Sequence, residues 1–131
     1  DLISSGHIDP EETFEDAIIE NTANKLGVVL TRDDIRHIGN IRQVVDKGDY
    51  HDNAFCQIYF CQVSNPEFHL HYVENVVKMR YEDFRSWLLG LTDRAPLYKV
   101  DGTLLCNTSK KDWWLREKEF LGVVSPYIET L

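Results

Sequence analysis

Carboxylate side chains recur one helical turn apart near the beginning of this chain. Glu12, Asp16 and Glu20 are spaced by four residues, and Asn24 continues the row. A helix through this segment would present the row on one face. A hard divalent cation such as Mg²⁺ prefers several oxygen ligands, and carboxylates one turn apart can supply them. The row is therefore an acidic helix face, which is either hydrated or turned toward a cation.

The element that would position this row is predicted to be a helix from Asp9 to about Leu26. Asp9 can cap the helix and Pro10 suits the first helical position. Gly27 fits a left-handed stop at the end. Residues recurring at three- and four-residue intervals predict the buried stripe: Phe14, Ala17, Ile18 and Thr22.

The remainder of the chain alternates strand and helix signals. Apolar alternation, turn residues and helical spacing predict these elements: strands at 35–45, 54–63, 68–72 and 74–81, a helix at 81–91, a hairpin at 97–106 around Asp101-Gly102, and a final helix from Ser109 that Pro126 ends or kinks. In the helix at 81–91, the inward side chains would be Phe84, Trp87, Leu88 and Leu91.

Composition indicates one globular domain over residues 1–131. The chain is 43% hydrophobic and 27% charged, which is ordinary for such a domain. Its formal net charge of −8 argues against non-specific binding to nucleic acid or to an anionic membrane, because both need a cationic surface. Neither a long apolar run nor a secretory start is found, so we expect a cytoplasmic protein. The odd number of cysteines predicts buried reduced thiols at Cys56, Cys61 and Cys106.

The segment Gly6 to Val28 resembles the Nudix box, which runs G, five residues, E, seven residues, then R-E-U-x-E-E-x-G-U, where U is a bulky aliphatic residue. The positions that match this pattern are Gly6, Glu12, Gly27 and Val28. Those that depart from it, standing where R, E, U, E and E belong, are Glu20, Asn21, Thr22, Asn24 and Lys25. The glycine frame of the box is kept while most of its carboxylates are replaced.

The similarity extends to about residue 91 and is greatest to the isopentenyl-diphosphate-isomerase-like branch of the Nudix superfamily. Residues 52–59 resemble a strand of that branch, and 74–84 resemble its strand-to-helix segment. The resemblance implies an α/β/α sandwich around a mixed sheet. It would comprise the box loop and helix at 6–28, strands and a helix at 35–91, and the C-terminal hairpin and helix at 97–131. Family members have two or three strands before the box, so we expect those strands to be lacking here. Either a homodimer or an altered sheet would then remove the exposed sheet edge.

The resemblance also implies Mg²⁺-dependent hydrolysis of a nucleoside diphosphate-linked or related diphosphate compound. Glu12 and Glu20 would be the catalytic carboxylates, and together with Glu74 they would form the metal set. Glu20 replaces the arginine that in the family pairs with the glutamate matched by Glu12, so two acids would face each other and the pKa of one should rise. The substitutions Asn21 and Asn24 should weaken Mg²⁺ binding and the hydrolytic activity.

An alternative implied by the same positions is a catalytically silent Nudix-fold module that binds a nucleotide or a protein partner. Lys25 would place an ammonium near the position of the family's metal, and lysine binds phosphate as a point charge. Asn21 and Asn24 would then be substrate-binding residues with Lys25. A surface lysine in the last helical turn would also favour the helix dipole.

Two further groups could do chemistry. His69 and His71, followed by Glu74, could bind a transition metal, although isolated surface histidines explain the same spacing. The pair Trp113-Trp114, with Phe120, could stack on a base, although aromatic residues at helical spacing more often form core or interface.

Overall fold

The protein combines helices with small antiparallel sheets. The structure is a computed structural model that describes residues 4–113 and 115–131. Its elements are helix α1 (Phe14–Leu26), strands β1 (Ile35–Lys47), β2 (Tyr50–Cys61) and β3 (Val77–Lys78), helix α2 (Tyr81–Leu88), and strands β4 (Arg94–Lys99) and β5 (Leu104–Ser109). A C-terminal helix over residues 117–128 is α-helical at Glu117–Glu119, π-helical at Phe120–Val124 and α-helical again at Ser125–Ile128.

Helix α1 ends where the sequence predicted but begins later. Its N-cap is Thr13, whose hydroxyl accepts a hydrogen bond from the Asp16 amide at 3.1 Å. The predicted cap, Asp9, lies instead in a turn in which its carbonyl accepts from the Glu12 amide at 3.0 Å. The predicted start was wrong because the Thr13 hydroxyl satisfies the first helical amides. Ala17 and Thr22 are buried as predicted, whereas Phe14 is exposed.

Strands β1 and β2 form a long antiparallel hairpin. Their register runs from Ile35 opposite Cys61 to Lys47 opposite Tyr50, with a shift between His37 and Gly39. The connection is short because Gly48 adopts a φ of 58°. The two predicted strands are confirmed, but β2 starts before the predicted Ala54, because the turn is tighter than the run of polar residues suggested.

The second sheet has the order β3–β4–β5, and α2 packs against it. Trp87 and Leu88 of α2 are buried, as are Ala95 and Leu97 of β4. The hairpin predicted around Asp101-Gly102 is confirmed: the Asp101 carboxylate accepts from the Thr103 amide at 2.8 Å, and Gly102 has a φ of 92°.

Several predicted elements in this half of the chain were wrong. Residues 68–72 are irregular, and of 74–81 only Val77–Lys78 is a strand. Leu91 is exposed because α2 ends at Leu88 and Gly90 takes a φ of 76°. The final helix begins at Glu117 rather than near Ser109, since Trp113 is extended and its indole N–H donates to the Thr108 hydroxyl at 2.7 Å.

The C-terminal helix joins the hairpin to α2. On the hairpin side, Tyr127 stacks near Phe60 with ring centroids 5.1 Å apart. On the other side, Phe120 meets Phe84 edge-on at 4.8 Å. Pro126 lies in the first turn of the last α-helical piece, where its missing N–H is tolerated, so the helix continues to Ile128. This helix therefore packs between the β1–β2 hairpin and α2.

The sheet arrangement differs from the expected mixed sheet. In residues 4–113 and 115–131, every strand pairing is antiparallel, and the strands form two separate sheets. The described residues therefore have a mixed α/β fold, but their strands do not form a single mixed sheet.

The three cysteine side chains differ in their exposure. All three cysteines are free thiols. Cys56 and Cys61 are half-buried, and burial raises the pKa of each thiol. Cys106 is exposed, so the prediction that it is buried was wrong.

Within the described residues, no helix is both long and apolar enough to cross a membrane.

Candidate functional site

The loop that precedes α1 folds back onto the helix. The Thr22 hydroxyl donates to the Ser4 hydroxyl at 3.1 Å, and the Lys25 ammonium donates to the Ser5 carbonyl. A Cβ on Gly6 would lie 2.5 Å from the Asn21 side-chain nitrogen, so any larger residue here would require the Asn21 side chain to move. Three of the positions that match the Nudix box or replace its residues (Gly6, Asn21 and Lys25) are thus brought together between loop and helix.

The end of α1 is fastened by a second irregular segment. Gly27 is left-handed, with a φ of 69°, and its amide donates to the Ala23 carbonyl. The His69 amide donates to the Leu26 carbonyl at 2.8 Å and the His71 amide to the Lys25 carbonyl at 2.9 Å. The segment around His69 and His71 therefore satisfies carbonyls that the helix end leaves open.

Glu12 and Glu20 lie beside each other although Glu12 is outside the helix. The Glu12 carboxyl, by a hydrogen bond and by charge repulsion, raises the pKa of Glu20 above its ordinary value, and Asp9 adds a smaller repulsion. This is the direction that the replacement of an ion pair by two acids predicts. A carboxyl group that holds its proton more tightly than usual can serve as a general acid or base.

The other members of the predicted row do not join this pair. Asp16 forms an ion pair with Arg32, with oxygen and nitrogen 2.9 Å apart, and this partner lowers the pKa of Asp16. Asn24 is exposed. The row of four oxygen ligands on one helix face is therefore not assembled.

No metal-binding cluster was found in the described part of the chain, where no group of three or more His, Cys, Asp or Glu residues could hold an ion. Glu74, the third member of the predicted metal set, is exposed and does not complete one with Glu12 and Glu20. The predicted set of His69, His71 and Glu74 is not assembled either: the His69 ring lies 3.7 Å from the Glu67 carboxylate, and the His71 ring meets the Tyr72 ring edge-on.

The aromatic residues singled out in the sequence line a cavity distant in sequence from the box. Trp113 and Phe120 form part of its wall, together with Phe84 and Trp87 of α2. Trp114 lies outside the described residues. Sequence reasoning missed the contribution of Lys78, because a short strand with a lysine carries no signal that it borders a cavity.

Comparison with known proteins adds no family assignment. No protein-family model matches the chain, and neither a curated protein nor a solved structure is significantly similar to it. The likeness to the Nudix box therefore stays a prediction from the motif in the sequence.

Proposed function

We propose that the chain is a Nudix-type module that binds a diphosphate-containing small molecule, such as a nucleotide, with little or no Mg²⁺-dependent hydrolysis. The observation that carries the proposal is the contact between Lys25 and Ser5, which places an ammonium between the box loop and the helix. The proposal includes a Nudix-type α/β/α arrangement, supported by the loop and helix and weakened by the separate antiparallel sheets.

Lys25 can serve both structure and binding. An ammonium group has three donor hydrogens, and the Ser5 carbonyl accepts one of them. The other two can bind phosphate oxygens as a point charge, without the fork geometry of arginine. Asn21 lies against Gly6 and could donate from its amide to the same anion.

The expected metal chemistry has little support at these positions. Two amides and an ammonium stand where the resemblance places three glutamates: Asn21, Asn24 and Lys25. Mg²⁺ needs an octahedral set of oxygen ligands. Because the described residues bring only Glu12 and Glu20 together, binding through Lys25 explains the site better than hydrolysis through a metal.

A weak Nudix hydrolase is the second candidate, and the Glu12 and Glu20 pair favours it. Glu12 raises the pKa of Glu20, which is a property of catalytic acids and bases. The pKa shift is also explained without catalysis, as the repulsion that results because Glu20 stands where the resemblance places an arginine. Mg²⁺ as cofactor, a homodimer and cytoplasmic location remain predictions from the sequence.

Turnover separates the two candidates. A nucleoside diphosphate sugar, a dinucleotide polyphosphate and isopentenyl diphosphate would be incubated with the protein, with and without Mg²⁺, and phosphate or diphosphate products measured. We expect binding without Mg²⁺ and no turnover. Metal-dependent turnover that Glu20→Gln abolishes, and that the matched surface change Glu11→Gln leaves intact, would establish the hydrolase instead.

A further inference from the structure

An apolar cavity of about 150 Å³ lies between β3, α2, β4 and the segment at 113–120. Its walls include four aromatic rings: Phe84, Trp87, Trp113 and Phe120. These rings contact one another edge-on, with centroids 4.8 Å apart for Phe84 and Phe120 and 6.2 Å apart for Trp87 and Trp113. A cavity of this size accommodates one benzene-sized ring.

Positive charge borders this cavity in a chain whose net charge is −8. Lys78 lines it and also lines a second cavity of about 320 Å³, which Arg80 borders as well. The Arg80 guanidinium lies 5.6 Å from the centre of the Tyr98 ring. Arg116 also lines the first cavity, but it lies 3.8 Å from the buried Glu119 carboxylate, which offsets its charge. Lys78 and Arg80 are the other cations at the two adjoining cavities, and the Asp101 carboxylate, whose pKa is lowered mainly by Thr103 and to a smaller extent by Lys78, offsets part of the Lys78 charge.

A buried donor at the same place lacks an acceptor. Trp87 is 1% exposed, and within the described residues its indole N–H has no hydrogen-bond partner. A buried donor without an acceptor costs about 1–3 kcal/mol, and such groups are rare in folded proteins. Trp87 lines the cavity, but its indole nitrogen has no surface open to it, so this donor does not identify a ligand atom.

We propose that the adjoining cavities bind a small aryl phosphate, with its single ring between the aromatic walls and its anionic group at Lys78 and Arg80. The volume of the first cavity limits the ring to one, and two cations favour a doubly charged group over a carboxylate. All the side chains that line these cavities lie between residues 77 and 120, outside the box segment. The site is therefore independent of the proposed diphosphate site.

Calorimetric titration with phenyl phosphate, phenol and inorganic phosphate tests the proposal, with tryptophan fluorescence recorded in parallel. Because ring and anion would bind together, phenyl phosphate should bind at least about tenfold more tightly than either fragment and should change the tryptophan emission. Failure of phenyl phosphate to bind at millimolar concentration, or affinity no greater than that of phenol, would overturn the proposal. Phenyl phosphate contains no diphosphate, so either result leaves the proposed function untouched.

A matched pair of lysine variants locates the anionic group. Lys78 and Lys99 are exposed on the paired strands β3 and β4, and both lower the pKa of Asp101, but only Lys78 is among the residues that line the two cavities. Lys78→Gln should weaken phenyl phosphate binding by about tenfold and leave phenol binding unchanged, whereas Lys99→Gln should change neither by more than about twofold. Equal losses in both variants would contradict the assignment, because they would reflect net charge rather than a site.

Discussion

At the scale of single residues, the contact between Glu12 and Glu20 is the most informative departure from the Nudix pattern. Where the resemblance places an ion pair, the chain has two acids, and Glu12 raises the pKa of Glu20. The repulsion between the Glu12 and Glu20 carboxylates should therefore make the stability of the fold depend on pH.

The Glu12→Gln substitution should remove that dependence. Because the pKa of Glu20 is higher in the folded chain than in the unfolded one, the folded state retains this proton as the pH rises. The free energy of unfolding therefore falls between the unfolded and the folded pKa of Glu20. Glu12→Gln should match the wild type below this window and be more stable above it. Urea unfolding at a series of pH values measures the effect.

The glutamine retains an oxygen that can accept from the Asp9 amide, as Glu12 does at 3.2 Å. Glu11→Gln provides the control, because it removes the same charge from the neighbouring exposed position. If Glu11→Gln changes the pH profile as much as Glu12→Gln does, general acidity rather than the pair would be responsible.

At the same scale, the sequence predicted the direction of the pKa shift but not the role of Lys25. Two acids replacing an ion pair predict repulsion whatever the backbone does in detail, provided that they meet. The donation from Lys25 to Ser5 depends on how the loop folds back, and no residue of that loop signals it. The close approach of the loop to the helix is marked in the sequence by Gly6, because a side chain at position 6 would collide with the Asn21 side chain.

At the scale of elements, two irregular segments hold the C-terminal half of α1. The loop at 4–6 covers one face of the helix. The amides of His69 and His71 donate to the last helix carbonyls, as the amides of a further helical turn would do. This explains why Gly27 is required twice, once for its left-handed backbone and once for the closeness of His69. A Cβ there would lie 2.6 Å from the His69 Cβ.

Gly27→Ala and Gly90→Ala separate these two requirements. Both glycines have positive φ, but a Cβ at Gly90 meets nothing within 4 Å. Gly90→Ala should lower the free energy of unfolding by about 1–2 kcal/mol, the cost of the left-handed backbone. Gly27→Ala should lower it by about 1–3 kcal/mol more, because His69 must also move. Thermal or urea unfolding gives both values, and equal losses would show that the segment around His69 is not packed on α1.

Elements with local signals were predicted better than those decided by packing. The Asp101-Gly102 dipeptide favours a tight turn by itself, and the predicted hairpin is present in the structure. The start of α1 was misplaced although Thr13-Phe14-Glu15-Asp16 carries a capping signal, because Asp9-Pro10 carries another one. The extended conformation of Trp113 has no local signal, since its indole bonds to Thr108 in the preceding strand.

At the scale of the whole molecule, the resemblance predicted one mixed sheet, and the described residues form two antiparallel ones. Strand order depends on contacts between distant segments, which a motif of 23 residues does not specify. The C-terminal helix lies between the β1–β2 hairpin and α2 and borders the aromatic cavity. No spacing rule predicted that cavity, because its walls come from β3, α2, β4 and residues 113–120.

Charge is distributed in the way that anion binding requires. The chain is acidic as a whole, so an anion would be repelled except where cations are held locally. Lys25 supplies one such position and Lys78 with Arg80 another. We therefore propose two separate anion sites, and the first of them carries the proposed function.

The most direct test is a site-resolved NMR titration with pyrophosphate in the absence of divalent cations, following the amides of Ser5 and Gly6. Four proteins would be compared: the wild type, Lys25→Met, Lys25→Glu and Lys111→Glu. Lys111 is exposed, so its variant reproduces the charge change of Lys25→Glu at an unrelated place. Circular dichroism would establish that each variant is folded.

Saturable shifts of both amides are expected in the wild type and in Lys111→Glu, with affinities equal within about twofold. Both Lys25 variants should bind at least about tenfold more weakly, because the phosphate loses its ammonium partner. Folded Lys25 variants that bind pyrophosphate as tightly as the wild type would contradict the central claim.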